Sequence, residues 1–125
     1  FYFCDKDGKP DYVQSREALP VDERTPGFGT IEFRNIIATN CQAAAAYITG
    51  LPERKLTEPI FAGIKVSFAP AAQPSKPAMA SGVEPMVRQG IIAQNVEKLI
   101  LKDVSIKGQD GDELQLENVD EVVHL

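Results

Sequence analysis

Phe33-Arg34-Asn35-Ile36 is a four-residue pattern that returns as Phe61-Ala62-Gly63-Ile64, Leu101-Lys102-Asp103-Val104 and Leu116-Glu117-Asn118-Val119. Each copy reads apolar, any residue, then Asn, Gly or Asp, then Ile or Val. The third position holds only residue types at ease with positive φ, so it predicts a fixed left-handed bend between two short strands. A unit of this kind cannot bury its own apolar side. Stacking several of them makes one continuous core, which is the physical logic of a solenoid. The pattern therefore predicts an all-β chain built as a stack of similar coils.

Working outward from the bends, Thr30-Ile31-Glu32-Phe33 alternates as a strand, turns at Asn35 and resumes from Ile36 to Ala38. The Ala43–Ala46 run has helical propensity. Gly50 cuts it short, and Tyr47-Ile48-Thr49 are strand formers, so the reading is strand. A second correspondence sets Tyr47-Ile48 before Gly50-Leu51 against Ile91-Ile92 before Asn95-Val96. Together these predict at least three short strands per coil. The apolar first residues of the bend motif lie 28, 40 and 15 residues apart, and the last interval makes the final motif a partial or closing turn. Residues 69–88 carry Pro70, Pro74, Pro77 and Pro85, a density that no ladder accepts, and form an insertion loop. Residues 1–30 are a loop-rich entry segment punctuated by Asp7-Gly8, Lys9-Pro10, Leu19-Pro20 and Thr25-Pro26. The coils then occupy 31–125.

At 125 residues and 43% hydrophobic content the chain has the size and composition of one domain with a real core. Its net charge is −5, with Lys and Arg scattered rather than gathered in a stripe, which argues against a nucleic-acid partner. No apolar run approaches the roughly 20 residues that a membrane helix needs, and no signal peptide is evident, so no membrane partner is expected. Cys4 and Cys41 could pair, but a lone pair is no disulfide scaffold and their spacing is not of the zinc type; the favoured reading is buried free thiols, and the redox compartment stays open. The uncapped apolar opening Phe1-Tyr2-Phe3-Cys4 reads as an internal position of a longer protein.

Three segments carry a resemblance to a known family: Ile31-Glu32-Phe33-Arg34-Asn35-Ile36, Ala45-Ala46-Tyr47-Ile48-Thr49-Gly50-Leu51-Pro52-Glu53, and Gln89-Gly90-Ile91-Ile92-Ala93-Gln94-Asn95-Val96-Glu97-Lys98-Leu99. They resemble the C-terminal coils of glycoside hydrolase family 28, the polygalacturonase family. The resemblance covers about three quarters of the chain, and its most family-like step is Gly50-Leu51-Pro52-Glu53. It implies a right-handed parallel β-helix, here a partial one of about three to four coils. It also implies inverting hydrolysis of galacturonic acid linkages in pectin and a secreted or extracytoplasmic setting.

The family's Asn-Thr-Asp, Asp-Asp, His-Gly and Arg-Ile-Lys motifs are all missing from these residues. The nearest approaches are Asn118-Val119-Asp120, Ile64-Lys65 and His124-Leu125. Inverting hydrolysis needs an acid and a base roughly 6.5–9.5 Å apart across the sugar. Asp120 reads instead as a surface carboxylate and His124 as a solvated side chain without a triad partner. No catalytic residue is therefore assigned, and the isolated chain is expected to be inactive, with pectic or other acidic polysaccharide engaged by upstream coils.

Asp5-Lys6-Asp7-Gly8 and Asp110-Gly111-Asp112-Glu113 offer oxygens in turns without completing a calcium loop, so neither a metal nor another cofactor is assigned. Arg16, Arg24, Arg54, Lys55 and Arg88 lie in loops, where binding residues collect. Arg16 and Arg24, on the long entry loop, are the substrate-binding candidates. Tyr47 reads either as a sugar-stacking ring or as ladder packing. Two rival readings share the architecture: a β-helix module that grips an acidic glycan without cutting it, and a calcium-dependent pectate-lyase-like protein.

Overall fold

A computed structural model describes residues 15–77 and 82–125. Among them there are five strands, β1 (Thr30–Cys41), β2 (Ala44–Thr49), β3 (Glu58–Phe68), β4 (Gln89–Lys107) and β5 (Leu114–His124), and no helix. None of the described residues forms a helix long and apolar enough to cross a membrane. All ladders between the strands are parallel, and the sheet curls like half a barrel.

β4 organises the sheet. Its first part pairs with β2 (Ala46↔Ile91, Thr49↔Gln94), the bridge Leu56↔Val96 continues the contact, and its last part pairs with β3 (Phe61↔Leu101, Val66↔Ile106). β5 runs along β4 from Ile91↔Leu114 to Leu101↔His124, and β1 runs along β3 from Thr30↔Glu58 to Cys41↔Phe68. Each later stretch of chain thus lies beside an earlier one, parallel and largely in register. The intervals of sequence absorb the insertions.

The bends form two columns. Asn35, Gly63 and Asp103 occupy equivalent positions in β1, β3 and β4, with φ of 53°, 69° and 51°. Gly50, Asn95 and Asn118 occupy the other set, with φ of 55° at both asparagines. Asn118 therefore belongs with Asn95 rather than with Asp103, a correction to the four-fold reading of the motif. The two asparagines are 23 residues apart, one whole circuit, whereas the 15-residue interval joined residues from different columns. β5 is still only part of a circuit. The expected match of Tyr47-Ile48 shifts by one residue, to Ile92 and Ala93. β4 also runs unbroken through both Asn95 and Asp103, where separate short strands were expected, because ladder bonds continue on either side of each bend.

Alternation decides which side chains face inward. Ile91, Val96 and Leu99 are the largest fully buried side chains, and Phe61, Ile64 and Leu101 join them. Burial of such a side chain is worth about 1.5–3 kcal/mol. The register lines up Phe33 with Phe61 and Leu101, Ile36 with Ile64 and Val104, and Ala38 with Val66 and Ile106. The Phe33 and Phe61 rings stack with centroids 5.1 Å apart. Toward β1 this interior is open, and Phe33 and Ile36 remain 36% and 41% exposed. Cys41 is a half-buried free thiol packed against the core; Cys4 lies outside the described residues.

Candidate functional site

The outward residues of β2, β4 and β5 form the floor of a groove of about 760 Å³. Strand alternation puts them there: Ala46, Ile48, Ile91 and Ala93 go to the core side, so Tyr47, Thr49, Ile92 and Gln94 point the other way. The register sets them in two rows across the strands, Tyr47–Ile92–Gln115 and Thr49–Gln94–Glu117. The second row is one residue before the Gly50–Asn95–Asn118 bends. The bend column thus fixes the position of the row.

Hydrogen bonds tie the floor together. Gln94 Oε1 accepts from the hydroxyls of Thr49 (3.1 Å) and Tyr47 (3.5 Å), and its Nε2 donates to Glu117 Oε2 (2.8 Å). Gln115 Nε2 donates to Gln89 Oε1 at 2.6 Å. Gln94 thus has both ends of its amide engaged, which fixes its orientation.

One wall is the stretch 82–87 of the insertion loop, and Arg16 of the entry segment also lines the groove. The loop is held by an antiparallel bridge, in which the amides and carbonyls of Ser75 and Met86 exchange two bonds of 2.9 Å. Arg88 fastens its end. Its Nη1 donates to Pro70 O (3.1 Å), its Nε pairs with Asp110 Oδ2 (3.2 Å), and its own φ is 47°.

The two substrate-binding candidates fall in different places. Arg16 lines the groove, while Arg24 lies outside it and pairs with Asp22 at 2.8 Å. That guanidinium, followed by the Arg24 amide, holds the Asp22 carboxyl below its usual value. Arg54 donates to Thr25 O at 3.1 Å, bracing the entry loop, and Lys55 pairs with Asp120 at 2.5 Å. His124 is exposed at the end of β5, opposite Leu101. Asp110, in one calcium-like turn, is paired with Arg88; the other turn, at 5–8, lies outside the described residues. Among the described residues no three His, Cys, Asp or Glu side chains cluster as metal ligands.

Tyr47 is the one floor residue that the sequence marks as a possible sugar contact. Thr49, Gln94 and Glu117 escaped notice, although the signal was present: each directly precedes Gly50, Asn95 or Asn118, and a residue next to an aligned bend is itself aligned. Chemically, the floor offers an aromatic face, amide and hydroxyl groups and one carboxylate on a rigid sheet. Comparison with family models, with curated proteins and with solved structures finds no match to this chain.

Proposed function

We propose that the chain is the C-terminal part of a polygalacturonase-like glycoside hydrolase that cleaves galacturonic acid linkages of pectic polysaccharide with inversion. In this reading residues 31–125 are coils of a right-handed parallel β-helix, and their work is to complete the solenoid and extend its outer face. The carrying observation is the pair of aligned bend columns, Asn35–Gly63–Asp103 and Gly50–Asn95–Asn118, joined by parallel strands in register. Right-handedness follows from the strong chirality preference of parallel crossovers. The open interior beside Phe33 and Ile36 is a surface on which a further coil would stack. The link to polygalacturonases rests on the sequence resemblance, with Gly50-Leu51-Pro52-Glu53 at the turn between β2 and β3.

The test is hydrolysis of polygalacturonate by two proteins: the 125-residue chain, and the same chain extended by whatever is encoded upstream of Phe1. The extended protein is expected to release reducing ends of inverted anomeric configuration, and the shorter chain none. Hydrolysis by the 125-residue chain alone would overturn the proposal. So would an upstream sequence without further coils and paired aspartates.

A second reading, a glycan-binding module without hydrolysis, is favoured by the groove itself, whose floor and one wall come wholly from this chain. Binding of oligosaccharide by the 125-residue chain, with no activity in any extended form, would select it.

A further inference from the structure

The groove's charge does not match a polyuronate. Among the described residues its charged lining groups are two carboxylates, Glu84 and Glu117, and one cation, Arg16. The whole chain adds a net charge of −5. A chain of galacturonates would bring one negative charge per sugar toward a site that already has a surplus of them. A ligand without charge meets no such repulsion.

We propose that this groove binds a neutral, hydroxyl-rich oligosaccharide, read by Tyr47 and by Glu117 held in place through Gln94. The proposal rests on the reading of the chain as part of a polysaccharide-acting protein, and it divides the labour: uronate chemistry upstream, neutral sugars here.

A neutral pyranose has an apolar C–H face and a rim of hydroxyls. Tyr47 and Ile92 on the floor, with Pro85 and Met86 in the wall, supply apolar surface for the first. Glu117 supplies an acceptor for the second. Gln94 donates a single bond to one of its oxygens, and an ionised carboxylate has about four acceptor sites, so the group can take further donors. Sugar hydroxyls are such donors and form charge-assisted bonds with it, whereas a uronate carboxylate has no proton to give at neutral pH. Gln94, engaged by Thr49 and Tyr47, acts as a positioning residue that keeps Glu117 from swinging away.

The experiment is calorimetric titration of the full 125-residue chain with a neutral galactan hexasaccharide and with a galacturonate hexasaccharide, at low salt. Wild type, Glu117→Gln and Tyr47→Ala are compared, each checked by circular dichroism for an unchanged fold. The neutral sugar is expected to bind more tightly than the uronate. Glu117→Gln should weaken the neutral sugar roughly tenfold, the loss of a charge-assisted bond, and narrow its advantage over the uronate. Tyr47→Ala should weaken both. If Tyr47→Ala unfolds the chain, Glu117→Gln alone carries the test, because it keeps the shape while removing the charge and turning one acceptor oxygen into a donor. Tighter binding of the uronate would overturn this inference while leaving the pectic reading standing. Neutral-sugar binding unchanged by Glu117→Gln, or no binding of either glycan, would also overturn it, and the hydrolysis test of the longer protein would still judge the pectic reading.

Discussion

The side-chain amide of Asn118 donates to the side-chain oxygen of Asn95 across 2.7 Å, and Asn95 in turn donates to the backbone carbonyl of Gly50 at 3.0 Å. This short ladder runs across three neighbouring strands at a bend. It explains why asparagine suits the position twice over. It tolerates the φ of 55° that the bend demands, and its amide has both a donor and an acceptor with which to meet the next circuit.

Replacing Asn95 by alanine removes both bonds and places a Cβ without compensation in the left-handed region. Each bond is worth about 1 kcal/mol, and the backbone adds about 1–2 kcal/mol. Asn95→Ala is therefore expected to lose about 3 kcal/mol in urea unfolding. Asn95→Gly, which relieves the backbone but not the ladder, should lose less. Equal stability of the two variants would show that left-handed strain contributes nothing at this bend.

Gly50 heads the same column for a different reason. A Cβ there would lie 2.2 Å from Asn95 O and 2.8 Å from Leu56 N, and both are backbone atoms that cannot swing aside. Two stretches of the chain meet at this point, with Gly50 N donating to Gln94 O (2.8 Å) and Leu56 N to Asn95 O (3.0 Å). Gly50→Ala is expected to cost about 3 kcal/mol, at the upper end of overpacking penalties, and to disturb the groove floor beside Thr49. Gly29→Ala, with nothing within 4 Å of its Cβ, is the control and should stay near wild type. Thermal melts of the two variants compare them directly.

Much of this architecture is legible in the residues, because a bend that needs Asn, Gly or Asp leaves a mark that survives insertions. Asn35, Gly63 and Asp103 could be aligned by eye despite spacings of 28 and 40 residues. What the residues hid was column membership. Leu116-Glu117-Asn118-Val119 fits both bends as a pattern, and only the ladder to Asn95 assigns it. The groove was hidden for a related reason: polar residues such as Gln94 and Glu117 look like ordinary solvent-facing positions until register brings Thr49, Gln94 and Glu117 into one row and the loop at 82–87 forms a wall. Arginines in loops gave a cruder signal. Arg16 and Arg24 read alike in sequence, yet the first lines the groove while the second lies outside it and pairs with Asp22, two residues away.

That pairing has a pH signature. The Asp22 carboxyl is held below its ordinary 3.8 by the Arg24 side chain and amide. A carboxylate whose folded-state pKa is depressed stabilises the fold above its unfolded pKa, and the benefit fades as pH falls through the folded value. Here that window lies at and below 3.8. The pair is solvent-exposed, so the effect on global stability should be slight. The direct readout is an NMR titration of the Asp22 carboxyl carbon, with a midpoint expected below 3.8 that returns toward it in Arg24→Gln. An unmoved midpoint would mean that the pair does not persist in solution.

The outer edge of β1 makes the last prediction. Among the described residues β1 pairs with β3 alone, so no described strand meets the backbone donors and acceptors of its other edge. Strand edges of this kind are usually guarded by charge or proline. In β1 proline is missing, and its two charges, Glu32 and Arg34, pair with each other at 2.7 Å, which blunts both as guards. Phe33 and Ile36 meanwhile present the open interior columns to the same side. The 125-residue chain is therefore expected to associate reversibly with rising concentration in sedimentation velocity. Ile36→Lys, which sets a charge in the interior column, should shift it toward monomer with little change in the groove, since Ile36 does not line it. A wild-type chain that stays monomeric at high concentration would mean that this edge is shielded in solution. In that case the stacking surface proposed for a further coil would have to be sought elsewhere.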